Sequence, residues 1–473
     1  MKITLVQCPS WTTQSPPYAL ALLKSVLQKN GHKVECHDFN IELFNYCKNH
    51  PITIDSITDI HKCWDMDFKG YVWYEKEFTL KFIEAYSSFI DELIASIVNS
   101  DAKVVGFSVQ STSKFFSLEI AKRLKRKCPD KVIVFGGPLC FRNCYGINIL
   151  KDFDFLDAIC LSEGEEAFVN LISSIEAKSN VNDFSGLGYR HKDGAIIDGA
   201  DRLLIPDLNK IPYADYTNFY LQKYTKKLLP ISTSRGCINR CVFCNESVHW
   251  RKYRARTAKN IYDEISYQLD KHPQIETFWF NDSLINGDIA MLNELCDFFI
   301  GNKMKIKWGG QTMIRREMDK DLLYKMKEAG CESISYGIEN GSNKILKLMR
   351  KGYTSELAHQ VILDTYAVGI NSVFNIIIGF PGESEAEFEE NKEFIKKSMK
   401  YIGNIALNML LLLKDSYLYN NLAEFNILPI NYSDPEYQLK WKTADNSNTY
   451  DIRKRRLTEL MQIIEDKTFY AFS

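Results

Sequence analysis

Apolar residues along this chain of 473 residues fall into short runs that alternate with stretches of helical period. In the first third, runs at 3–7, 32–37, 104–109, 132–135 and 155–160 read as strands. The patterns over 18–29, which stops at Asn30-Gly31, and over 115–126 read as helices between them. An insertion over 40–100 interrupts this rhythm and carries Trp64, Tyr71, Trp73 and Tyr74 ahead of an amphipathic helix predicted over 77–98. Strands alternating with helices predict a doubly wound parallel sheet, Rossmann-like, over 1–175. The stretch 176–227, with Gly186, Gly188 and Pro206, reads as a linker. Six more strand runs follow, at 228–233, 276–281, 305–309, 333–338, 372–379 and 405–412, each separated by a helical pattern. The class is therefore α/β, with a second domain over 228–412 and a C-terminal extension over 413–473.

Composition narrows the class of function. Lysine and arginine total 59 against 60 aspartates and glutamates, a net charge of −1, which removes the overall electrostatic case for a nucleic-acid partner. The one basic run, Arg251-Lys252-Tyr253-Arg254-Ala255-Arg256, reads as a solvated or anion-contacting loop. No apolar run approaches the roughly 20 residues of a membrane span, and the very apolar stretch 407–413 reads as an internal strand. The start, Lys2-Ile3-Thr4-Leu5-Val6-Gln7, is too short for a signal peptide and reads as a buried strand. Thirteen cysteines at irregular spacing do not form a secreted disulfide framework and point to a reducing cytoplasm.

Candidate chemistry gathers at the predicted strand ends. In open α/β sheets ligands bind outside the carboxyl ends of the strands. Ser108, Gln110, Ser111 and Thr112, then Gly136 and Gly137, then Glu163 and Gly164 fall at those ends in the first domain. Glycine admits close backbone approach to a ligand, and hydroxyls bond phosphate or amide groups. The sharpest signal is Cys237, Cys241 and Cys244, a C-x-x-x-C-x-x-C spacing. Three thiolates hold three irons of a [4Fe–4S] cube and leave the fourth open to a small molecule. The competing reading is structural zinc with His249 as fourth ligand, but no second cysteine pair follows at finger spacing.

The cysteine spacing resembles that of the radical S-adenosylmethionine (SAM) superfamily, and Phe243, just before the last cysteine, fits that family's aromatic position beside adenine. The resemblance implies a partial (β/α)6 barrel with its site at the strand C-termini. It extends to Phe280-Asn281-Asp282-Ser283, where Asn281 and Asp282 would receive the SAM amino group, and to Gly337-Ile338-Glu339-Asn340-Gly341-Ser342, where Glu339 would bind ribose hydroxyls. Ile378 and Gly379 in Ile376-Ile377-Ile378-Gly379-Phe380-Pro381-Gly382-Glu383 would pack on adenine, and Gln311 and Arg315 would reach the SAM carboxylate or substrate.

With the glycine and hydroxyl loops upstream, the chain resembles the cobalamin-dependent class of that superfamily over roughly 1–410. No D-x-H-x-x-G occurs, so bound cobalamin would lack a protein histidine on its lower face. The resemblance implies three cofactors, a [4Fe–4S] cluster, SAM and cobalamin, and methyl transfer to an unactivated carbon, with redox cyclisation, ring contraction or rearrangement as the alternative. It also implies a small-molecule or peptide substrate and an external electron donor of flavodoxin or ferredoxin type. Cys128, Cys140, Cys144 and Cys160 are poorly spaced for a second cluster, so one cluster is expected. The aromatic insertion and the C-terminal segment are the expected variable walls of a substrate pocket.

Overall fold

The computed structural model describes residues 1–65, 70–142, 144–177, 185–191, 193–201, 204–431 and 437–464, without the side chain of Tyr71. The chain divides into two compact units, one over Met1–Pro230 and one over Ile231–Phe472.

The first unit is built on a seven-stranded sheet: β1 (Lys2–Gln7), β2 (Lys33–Asp38), β3 (Val104–Ser108), β4 (Val132–Gly136), β5 (Ala158–Cys160), β6 (Leu187–Arg190) and β7 (Ile196–Asp198). Their spatial order is β2-β1-β3-β4-β5-β6-β7. The first five run parallel, as near-continuous apolar strands buried on both faces must. Register pairs Gln7 with Ser108 and Ser108 with Gly136, so three strands end on one line and their loops share one edge. The stretch read as a linker departs from expectation. β6 and β7 lie within it and extend the sheet antiparallel from β5. Both are short, and β6 contains Gly188, whose lack of a side chain admits Ile147 and Ile159. That composition hid a strand behind a loop signature.

The insertion also differs in detail. The single helix expected over 77–98 is two, Lys76–Ala85 and Ser87–Val98, broken at Tyr86, whose hydroxyl donates to His50 O at 3.0 Å. Trp73 is fully buried and its ring meets Trp64, Phe78 and Phe82 at centroid distances of 5.2, 5.4 and 5.0 Å. These rings belong to the hydrophobic core of the unit, together with Phe116 from the helix Lys114–Lys127. Tyr74 is exposed.

A second sheet, of the second unit and the residues that lead into it, has six strands that are neighbours in chain order: β8 (Leu228–Ile231), β9 (Thr277–Phe280), β10 (Lys307–Thr312), β11 (Cys331–Glu339), β12 (Asn371–Ile378) and β13 (Asn404–Met409), with β9 to β13 paired parallel. Helices Ala258–Lys271, Ile289–Gly301, Lys320–Glu328, Ser355–Ala367 and Glu385–Ser398 connect them. Each connection is a strand, a helix and the next parallel strand, the repeat of an incomplete (β/α) barrel. Trp308 of β10 is buried, stacks on Phe280 of β9 at 5.0 Å and donates its Nε1 to Ala329 O at 2.9 Å. The helix Tyr450–Ile464 closes the described chain and sinks Arg453 and Arg456 into the unit at 0% and 1% exposure. The C-terminal segment is thus joined to the barrel core through charged side chains.

Candidate active site

The three cysteines sit on the loop after β8, and its path is set at both ends. Gly236 precedes Cys237 with φ +85°, and a Cβ there would lie 2.8 Å from Lys252 O. Glycine is the residue that permits this turn. Ser234 and Arg235 pair antiparallel with Ala255 and Arg254, and Arg256 N donates to Thr233 O at 2.9 Å. The Arg256 guanidinium, 7% exposed, donates to Ser232 O at 2.7 Å and Asn260 Oδ1 at 2.7 Å and pairs with buried Glu264. The basic run read as a solvated or anion-contacting loop therefore includes a buried arginine that ties down the root of the cysteine loop. Between the last two cysteines, Val242 turns into an apolar cluster with Ile345, Met349 and Leu418, and its N–H donates to Met349 O at 3.2 Å.

Asp282 fastens the same loop from β9. Its buried carboxylate accepts from Ser232 Oγ at 2.9 Å, Thr233 N at 2.9 Å, Ser234 N at 3.1 Å and the Thr233 hydroxyl. Burial, opposed by these hydrogen bonds, raises the carboxyl to about 6. The carboxylate is occupied with the three residues that lead into Arg235-Gly236-Cys237, so its place is beneath the loop. Neighbouring Asn281 is exposed on the cavity, its N–H held by Ile231 O at 2.8 Å.

A cavity of about 480 Å³ opens over the strand ends and is lined by all three cysteines, Phe243, Asn281, Asp282, Gln311 and Glu339. Glu339 ends β11 with φ +66°, beyond a register shift between Gly337 and Glu339. The Gly-x-Glu spacing has a local cause. A Cβ on Gly337 would lie 2.7 Å from Glu339 Oε1, so glycine leaves the room into which the carboxylate folds. Ile338 between them is buried in the core.

Opposite stands Lys351, 5% exposed, with Nζ 3.1 Å from Glu339 Oε1 and 5.9 Å from the Phe243 ring centroid. Burial pulls the Lys351 ammonium down, but Glu339, Tyr353 and Cys241 together hold it above its ordinary value. Asn239, inside the cysteine loop, donates its Nδ2 to Cys241 Sγ at 3.2 Å and Lys351 O at 3.4 Å. Asn375 donates to Ser335 Oγ at 2.9 Å across the cavity floor. Lys351, Asn239, Ser335 and Asn375 were not among the residues singled out from sequence. Lys351 carries no distinguishing signal in the sequence, where it follows Lys344, Lys347 and Arg350.

Three residues that the resemblance implicates do not line this cavity. Arg315 donates to Asn286 O at 2.8 Å and Gly287 O at 3.0 Å and pairs with Glu317 at 2.7 Å, lining a neighbouring cavity of about 390 Å³. Ile378 is fully buried, and Gly379 faces Arg453 and Asn448 of the C-terminal segment, so neither lines the main cavity.

The donor set discriminates between metals. Among the described residues no group of three or more His, Cys, Asp or Glu side chains is placed to hold a single metal ion. His249, whose burial lowers its imidazole to about 4, is absent from the cavity wall. Three thiols around one cavity suit a cube in which each cysteine takes a different iron. Burial raises all three thiols, Cys244 to about 12, so ligation as thiolate would release protons.

On the carboxyl edge of the first sheet, most of the singled-out side chains already have partners. Gln110 Oε1 accepts from Gln7 Nε2 and Ser113 Oγ, both at 3.1 Å, and its Nε2 points to Ser108 Oγ at 3.5 Å. Thr112 donates to Ser10 O at 2.7 Å, and Glu163 accepts from Ile205 N at 2.7 Å. Ser111 is exposed, Gly164 opens the helix Gly164–Glu176, and a Cβ on Gly137 would lie 2.8 Å from Val109 O. Gly136 is half-buried beside Cys160. Among the described residues, Gln7 Oε1 and Ser162 Oγ on this edge are buried without a partner. Orphaned polar groups at strand ends fit a ligand rich in amides, as cobalamin is.

Residues 231–395 match the sequence profile of the Radical SAM superfamily. The fold of the whole chain is similar to that of solved proteins that share little sequence with it. The radical SAM methyltransferase TsrM from Kitasatospora setae, solved with cobalamin and a [4Fe-4S] cluster, superposes with a TM-score of 0.66 at 16% identity over 95% of this chain and 82% of that one. The same protein with tryptophan substrate and aza-SAM gives 0.68 at 18% identity over 89% and 76%. By sequence, the chain is 27% identical to an uncharacterized methyltransferase of Pyrococcus horikoshii over 64% of its length and 66% of that protein. It is 26% identical to the anaerobic magnesium-protoporphyrin IX monomethyl ester cyclase of Rubrivivax gelatinosus over 62% of its length and 53% of that protein. The chain thus spans about half to two thirds of these two curated relatives. No helix among the described residues is long and apolar enough to cross a membrane.

Proposed function

We propose that this chain is a cobalamin-dependent radical SAM methyltransferase that acts on an unactivated carbon of a small-molecule or peptide substrate in a reducing cytoplasm. The observation that carries the reading is the convergence of Cys237, Cys241 and Cys244 with the Glu339–Lys351 pair on one cavity. Bound there, a [4Fe–4S] cluster supplies reductive cleavage of SAM, and cobalamin on the first sheet supplies a methyl carrier.

The chain's own part is to bind, orient and exclude solvent. The three thiolates would hold three irons and leave the fourth for the amino and carboxylate groups of SAM. Glu339 would accept hydrogen bonds from the ribose hydroxyls. Lys351 offers a buried positive charge to the SAM carboxylate, with Gln311 and Asn281 on the same wall. Phe243 presents an apolar face to the adenine. The edge formed by Gln7, Ser108, Gln110, Gly136 and Ser162 would receive the corrin amides. The electron comes from an external donor of flavodoxin or ferredoxin type.

The test is anaerobic reconstitution with iron, sulfide and hydroxocobalamin, then metal analysis and assay of SAM products under a strong reductant. About four irons per chain, bound cobalt and released 5′-deoxyadenosine are expected, with cleavage abolished in Cys237→Ala, Cys241→Ala or Cys244→Ala. Zinc in place of iron, or cleavage surviving any of these substitutions, would overturn the cluster assignment, and failure to retain cobalt would overturn the cobalamin one. The likeness to cyclases favours a second reading, redox ring chemistry without methyl transfer. Product mass separates them: methylation adds one CH2, whereas oxidative cyclisation removes hydrogen.

A further inference from the structure

We infer that Asn340 and Glu383 are positioning residues for the Glu339 carboxylate, and that the C-terminal helix fixes them through Arg456. The inference rests on the reading of the cavity as a SAM site. Glu339 is a non-glycine residue in the left-handed region, a conformation that persists only where its surroundings over-determine it. What holds it begins one residue later. Asn340 is fully buried; its N–H donates to Ile338 O at 2.9 Å and its Oδ1 accepts from Ser342 N at 2.9 Å. Its Nδ2 donates to Glu383 Oε1 at 2.8 Å.

Glu383, 2% exposed, uses its second oxygen to accept from Gly379 N at 2.8 Å and Arg456 Nη1 at 3.0 Å. Arg456 also donates to Glu383 O at 3.1 Å and to Glu385 Oε1 at 2.8 Å. The next residue of the Glu339 loop is tied as well, Gly341 N donating to Asn391 Oδ1 at 2.8 Å. None of Asn340, Glu383 and Arg456 lines the cavity. Any influence they have on a ligand passes through Glu339. The C-terminal segment, expected from sequence to be a pocket wall, is in this respect the far anchor of a ribose-binding carboxylate.

A purely structural role would weaken every ligand alike, whereas a positioning role acts on the ribose contact alone. The readout is equilibrium binding of SAM and of its 2′-deoxyribose analogue to the cluster-loaded protein. Wild type is expected to prefer SAM by roughly tenfold, the scale of hydrogen bonds to a charged group, and Glu339→Gln to lose most of that preference. Asn340→Ala and Glu383→Gln are expected to lose it to the same degree while keeping wild-type iron content and cluster spectrum. Arg456→Lys should retain more of it than Arg456→Met. Wild-type preference in Asn340→Ala and Glu383→Gln would overturn the inference, as would loss of the cluster in both. A wild-type protein indifferent to the 2′-hydroxyl would instead overturn the role of Glu339, a distinct failure.

Discussion

Lys351 Nζ lies 3.1 Å from Glu339 Oε1, and the two side chains, nearly closed off from solvent, share a cavity wall with Cys241. A buried pair of this kind costs more to break than it contributes intact, because removing one partner strands the other charge. Lys351→Met should therefore destabilise the protein by about 3–5 kcal/mol and raise the KM for SAM. The double variant Lys351→Met/Glu339→Gln should recover most of the stability without recovering SAM affinity. Urea denaturation of the full mutant cycle, run beside SAM binding, checks both halves.

Gly337→Ala is the smallest change that moves the same carboxylate. The added Cβ falls 2.7 Å from Glu339 Oε1. The carboxylate must swing away, so SAM affinity should fall at least tenfold while iron content stays at the wild-type level. Binding isotherms paired with iron analysis decide it; unchanged affinity would mean that the carboxylate has room to relax.

Asp282 carries a pH signature. Its carboxyl is raised from 3.8 to about 6, chiefly by burial. Between those values the folded protein holds a proton that the unfolded chain has released, so the stability contributed by this group falls as pH rises through the window and is level above it. Asp282→Asn should remove that slope from stability measured between the two values. The same variant turns an amide nitrogen toward the donors of Thr233 and Ser234 and should load less iron. Denaturation at several pH values and an iron assay test the two statements separately.

Gly379→Ala probes the other end of the network. Gly379 has φ +77°, and a Cβ there would collide with the Arg453 side chain, which is stacked on Trp441 at 3.8 Å. Strain and overpacking together should cost about 2–4 kcal/mol. A thermal melt lowered by several degrees, with cysteine-loop chemistry intact, is the expected result.

The two sheets were legible because their strands are short apolar runs ended by glycine or small polar residues, as at Val104–Ser108 and Val132–Gly136. Strands β6 and β7 were hidden, since Gly188 and the polar stretch around them carry loop chemistry and only pairing with β5 makes them strands. In the site, the cysteines stood out by their spacing and Glu339 by the resemblance of the motif around it, each within one loop or one strand end. Lys351 was not, because its partnership with Glu339 is made by tertiary folding. Arg315 and Gly379 show the converse: a residue type at the right distance from a strand end can be taken up by backbone carbonyls or by a neighbouring helix.

The loop that carries the cysteines is pinned at four places, by Asp282 at its root, Arg256 at its return, Met349 O at Val242 and Lys351 O at Asn239. Its conformation is therefore set by protein contacts, and little chain entropy is left for iron and sulfide to remove on binding. A protein that has lost its cluster to oxygen should keep the mould in which the cluster was cast, so that damage is repaired by refilling rather than by refolding.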